Sequence, residues 1–82
     1  MGYRFVKKGA EPFYIRSTDA GAIREAASMF GLQRYMPQPD RHGGPIAQEH
    51  LSFLISGCRN MAKVLNELAD YLTGAENVEW KH

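Results

Sequence analysis

Arg34, Tyr35, Asp40, Arg41, His42, Gly43 and Gly44 fall within one short stretch of the chain. Guanidinium groups grip a phosphate or carboxylate through paired N–H donors. Tyr35 or His42 offers a ring to stack on a base, and Gly43 and Gly44 let a ligand come close to the backbone. The stretch leads into a helix expected to open at Pro45, whose first N–H groups and dipole favour an anion. Together these residues describe reversible binding of an anionic small molecule, nucleotide-like in chemistry. The site is neither a P-loop nor a dinucleotide fingerprint, because both required glycine spacings are absent.

Other chemistries lack their parts. Asp40, His42, Glu49 and His50 are ligand types, yet His42 and His50 lie far apart across a helix start and form no compact metal motif. No metal and no cofactor is expected. Cys58 occupies an apolar helix position, where a thiol is buried, protonated and inert. Ser52 and Ser56 share a helix with His50, but no acid is placed to complete a triad. No catalytic residue is assigned, and the chain is not expected to be an enzyme.

Two local resemblances arise. Ala22 to Leu32, reading AIREAASMFGL, resembles the first half of a helix-turn-helix through Ala27, Phe30, Gly31 and Leu32. That family needs a recognition helix directly afterwards, where Pro37 and Pro39 stand. Glu67 and Asp70, within NELADYL, form an ExxD similar to the metal-binding helix of the all-α nucleotide pyrophosphohydrolases. The family's ExxE belongs on a preceding helix, and here Glu76 and Glu79 follow instead.

The elements that must position the loop are read from periodicity. Residues 1–17 read as a β-hairpin, with apolar and basic residues alternating in Tyr3 to Lys8 and again in Pro12 to Ser17 around Gly9. Phe5, Phe13 and Ile15 would form its buried face. Residues 18–31 read as a short helix, with cap oxygens from Ser17, Thr18 and Asp19, an apolar face of Ile23, Ala26, Ala27 and Phe30, and a left-handed stop at Gly31. Residues 33–45 form a Pro/Gly loop.

Residues 45–73 read as one long amphipathic helix. Its seam is Leu51, Leu54, Cys58, Met61, Leu65, Leu68 and Leu72, extended backwards by Ala47 and widened by Ile55, Ala62 and Ala69. Glu49, Ser56, Lys63 and Asp70 face away, and Gly57 permits close backbone approach beside the seam. Residues 76–82 read as a possible strand, with Val78, Trp80 and His82 on one face. The fold class is therefore α+β in a single small domain.

The sums set the frame. The chain has 82 residues with a net charge of +1, 44% hydrophobic residues and one cysteine. That length supports a thin core, and the single thiol excludes a disulfide framework and fits a reducing compartment, so a cytoplasmic location is expected. No membrane span and no leader is read. Residues 1–45 carry seven basic and four acidic side chains, and residues 46–82 carry three and five. This near balance does not describe a polyanion binder, so nucleic acid is not expected.

A helix of about 28 residues spans roughly 42 Å, too long for the short helix to cover, which points to a second copy as the occupant of the seam. The expected function is a non-catalytic homo-oligomeric binding module, with Leu51, Leu54, Cys58, Met61, Leu65, Leu68 and Leu72 as interface. The ligand-binding residues are Arg34, Tyr35, Arg41, His42, Gly43 and Gly44. The alternative is a small inhibitor or adaptor docking on a protein partner through Tyr3, Tyr14, Tyr35, Met36 and arginines. A DNA-binding regulator using Arg4, Lys7, Lys8 and Arg16 stands behind both.

Overall fold

The computed structural model describes residues 2–36, 41–59, 61 and 63–81, the side chain of residue 64 excepted. Pro37, Pro39, Asp40, Ala62 and His82, each used in the sequence reading, lie outside the described residues. The chain is an α+β fold: four antiparallel strands, β1 (Tyr3–Val6), β2 (Phe13–Ile15), β3 (Gly43–Pro45) and β4 (Glu79–Lys81), with helices α1 (Ala20–Ser28), α2 (Gln48–Arg59) and α3 (Lys63–Leu72). Short 3-10 turns precede and follow α1, at Ser17–Asp19 and Gln33–Tyr35.

The hairpin forms where the alternation places it. Tyr3 pairs with Ile15 and Phe5 with Phe13, so Tyr3, Phe5 and Ile15 share the face turned to the core, where all three are buried. The tail closes onto it: Phe5 also faces Trp80 of β4. The sheet order is β2-β1-β4-β3, so the chain's last strand lies at its centre. Trp80 is fully buried, while Glu79 and Lys81, one residue to either side, are exposed, as period-two alternation requires.

The Pro/Gly stretch contains a strand. Gly43 faces Lys81, Gly44 faces Trp80 and Pro45 faces Glu79. Three residues of the poorest strand formers pair here because β3 lies at the edge, where a proline without an N–H is tolerated. Gly43 has φ +156°, and a Cβ there would lie 2.7 Å from the Trp80 carbonyl oxygen. Pro45 therefore ends a strand instead of opening a helix, and α2 starts at Gln48.

α1 ends as its sequence requires. Gly31 has φ +71°, Gly31 N–H donates to the Ser28 carbonyl and Leu32 N–H to the Ala27 carbonyl. This is the Schellman pattern, with buried Leu32 folding back. Its start differs from expectation: no side chain caps the helix, and the Asp19 carboxylate instead accepts from Arg16 Nε at 3.3 Å.

The long helix expected over 45–73 is two helices. One straight rod would exceed a body that measures 27 × 25 × 22 Å. Instead α3 folds back so that Leu65, Leu68, Ala69 and Leu72 meet Leu51, Leu54 and Cys58 in one core with α1 and the sheet. Arg59, at the end of α2, ties the two together by donating to Asp70 at 2.6 Å and Thr73 at 3.3 Å. The seam residues named as an interface are thus the chain's own core, all at most 5% exposed apart from Met61. Met61, between the helices, is exposed.

All three helices lie on the core side of the sheet. Tyr71 of α3 clamps the hairpin connection: its hydroxyl donates to the Glu11 carbonyl at 2.7 Å, and Lys7 Nζ donates to the Tyr71 carbonyl at 2.6 Å. No helix among the described residues is long and apolar enough to cross a membrane.

Candidate functional site

α1 and the 3-10 turn after it run beside α2, and the seam between them has three rungs. At the first, Gly57 meets Ala26 so closely that a Cβ on residue 57 would sit 2.4 Å from the Ala26 carbonyl oxygen. At the second, Phe53 meets Phe30, with ring centroids 5.4 Å apart and tilted 36°. At the third, His50 meets Tyr35, with centroids 4.7 Å apart and tilted 37°. Residues 50, 53 and 57 follow one another at steps of three and four, so they line one side of α2.

The seam opens along its length. Gly57 and Ala26 are buried, whereas Phe30 is 41%, Tyr35 45% and Phe53 48% exposed. Met29, beside Phe30, is exposed as well. Aromatic rings that contact one another yet stay half in water form a strip of apolar surface, the composition that marks protein interfaces.

At its open end the strip runs into a hollow of about 220 Å³ lined by Tyr35, Arg41, Pro45, Ala47 and His50. The Arg41 guanidinium lies 5.8 Å from the centroid of the Trp80 ring, and Gly44 makes room for it: a Cβ there would be 3.2 Å from Arg41 Nη2. His50 Nδ1 is buried and has no hydrogen-bond partner among the described residues.

The structure divides the residues expected to bind an anion. Tyr35 and Arg41 line the hollow together; Arg34, His42, Gly43 and Gly44 are not among its lining residues. Gly43 and Gly44 are taken up by pairing with β4, so they are spaced away from the α2 N-terminus by Ile46 and Ala47. Arg34 and His42 are exposed. The residues named as docking anchors divide too: Tyr3 and Met36 are core, Tyr14 and Tyr35 are surface. The site residues missed from the sequence are Phe30, Phe53 and His50. Phe30 was assigned to the buried face of its helix; Phe53 stands one place off the seam, a position that does point away from the core.

Other candidate chemistry finds no assembly. No group of three or more potential ligands is gathered among the described residues. Asp70 is engaged by Arg59. Cys58 is buried, and burial pushes its thiol up to about 11. The segment after α1 is a 3-10 turn of three residues, too short to be a recognition helix. Comparison of the chain with protein-family models, curated proteins and solved structures gives no match.

Proposed function

We propose that this chain is a non-catalytic docking module whose aromatic strip, Phe30, Phe53, Tyr35 and His50, binds a protein partner. The observation that carries the reading is the half-exposed pair of ring contacts along α1 and α2. Rings already stacked on one another lose little freedom on binding, and aromatic residues dominate binding energy where they are then fully desolvated. A standard interface covers roughly 800 Å² per partner. Against 5003 Å² of total surface that is one face of the molecule.

A nucleotide-like ligand fits less well. Small-molecule sites usually enclose about 300–1,000 Å³, and the hollow holds about 220 Å³. A second copy is also less suited as occupant. A two-fold contact sets a patch against its own image, and Arg34 and Arg41, beside the Tyr35 end of the strip, have no acidic partner among the described residues. Where the two-fold axis passes close to them, those arginines would meet their own copies, and the like charges would cost affinity.

The test places a photo-crosslinking phenylalanine derivative at position 53 and, as control, at Tyr14 on the outer face of the sheet. The expected result is a discrete adduct with a different polypeptide from position 53 and none from position 14. That polypeptide, purified, should then bind F53A at least about 30-fold more weakly than the unaltered chain. Adducts between two copies, equal adducts from both positions, or unchanged affinity of F53A overturn the reading.

A further inference from the structure

The hollow at the end of the strip is polar on one side and aromatic on the other. Its cation, Arg41, stands over Trp80 and pairs with no acid among the described residues. A cation–π contact at this distance leaves the N–H edges of a guanidinium able to act as a fork toward a carboxylate. The His50 ring forms part of the wall, with its Nδ1 buried away from water and without a partner among the described residues. Tyr35 covers the His50 ring from above, and Pro45 and Ala47 add apolar wall. About 220 Å³ is too little for a nucleotide but enough for one amino-acid side chain.

We propose that this hollow is the subsite for one acidic side chain of the docked protein, with Arg41 as the charge partner of its carboxylate and the Tyr35 and His50 rings as its walls. The proposal rests on the docking reading and adds the partner's chemistry: an aspartate or glutamate next to an apolar anchor. The anchor lies on Phe30 and Phe53, and the acid reaches past Tyr35 into the hollow. The free arginine rim is the complement such a segment requires, and charge complementarity of this kind sets orientation and selects among partners.

The two proposals separate in one titration. The full chain, labelled with nitrogen-15, is titrated with the capped dipeptide acetyl-Phe-Asp-amide, with acetyl-Phe-Asn-amide and with inorganic phosphate. The acidic dipeptide is expected to shift the signals of Gly44, Ala47 and His50 saturably and to bind about tenfold more tightly than the amide form. R41Q should erase that preference and R41K should keep part of it, since lysine retains the charge but not the fork. Equal binding of both dipeptides, a preference that survives in R41Q, or phosphate binding as tightly as the acid overturns the carboxylate subsite. If both dipeptides still shift Phe30 and Phe53, the strip stands without the subsite; if neither touches those residues, the docking reading falls with it.

Discussion

The two ends of the seam between α1 and α2 are built from the same pair of elements and do opposite things. At the Gly57 end the backbones touch, no side chain intervenes on α2, and water is excluded. At the His50 end four rings hold the elements apart, and three of them, Phe30, Tyr35 and Phe53, remain half in water. Close packing at one end gives rigidity, because a contact between backbones has no rotamers through which to yield. The rings at the other end are held in place by that rigidity while contributing little to it. A protein that needed the strip only for stability would have buried it.

The sharpest way to break this comparison uses two adjacent residues of α2 with different surroundings. Leu54 is fully buried and Phe53 half exposed. L54A should cost about 2–5 kcal/mol, the usual range for a leucine removed from a core, measured by urea unfolding. F53A should cost less, about 0.5–1.5 kcal/mol for the aromatic pair plus about 1 kcal/mol for the half of the ring that is buried. Equal losses would mean that the strip belongs to the core.

Next in size is G57A. Alanine is ordinarily favoured over glycine within a helix by about 1 kcal/mol, so a gain would be expected from propensity alone. Here the added methyl meets the Ala26 carbonyl, which cannot rotate away. The net change should be a loss of roughly 1–3 kcal/mol, typical of overpacking, seen as a lower melting temperature. A more stable G57A would show that the closed end is not closed.

Dryness at that end has an independent measure in pH. Cys58 follows Gly57, and its thiol is pushed up from 9.0 to about 11 by burial alone. An acid whose folded value is raised contributes stability that is fully present below the unfolded value and is lost as pH climbs from there through the folded value. Unfolding free energy should therefore decline between about pH 9 and 11, with a slope of at most about 1.4 kcal/mol per pH unit from this one proton. C58A should lack that component of the slope, while Tyr3, whose buried hydroxyl is also raised, continues to act at higher pH. An identical alkaline decline in C58A would place Cys58 in contact with water.

The seam also shows where a single sequence stops being readable. Steps of three and four from Leu51 to Leu72 are the same whether the helix is continuous or folds back, because Met61 keeps the step across the break. Periodicity reports which residues are buried, and of the seven seam residues from Leu51 to Leu72 all but Met61 are; it does not report against what. The hairpin, the Gly31 stop and the Trp80 strand were legible because each rests on local geometry: alternation, a left-handed residue, period two. Strand β3 was not, since Gly43, Gly44 and Pro45 have no strand preference of their own and pair only where β4 presents an open edge. The strip was hidden for a related reason. Phe30 and Phe53 belong to different helices, and no spacing within either one announces their contact.

The smallest stability change, and the most telling, belongs to Y35S. Tyr35 is nearly half exposed and touches His50 by ring stacking. Its hydroxyl shows no hydrogen bond among the described residues, so losing it removes one ring contact and little buried area. Unfolding should shift by about 0.5–1 kcal/mol at most. Binding should respond far more strongly, because Tyr35, like His50, is shared by strip and hollow: the two form the third rung and also line the space beside Arg41. Y35S should therefore weaken the capped Phe-Asp dipeptide by about tenfold or more while leaving the chain folded. A variant that loses stability and binding in proportion would make Tyr35 a structural residue, and the open end of the seam would then differ from the closed end in exposure but not in purpose.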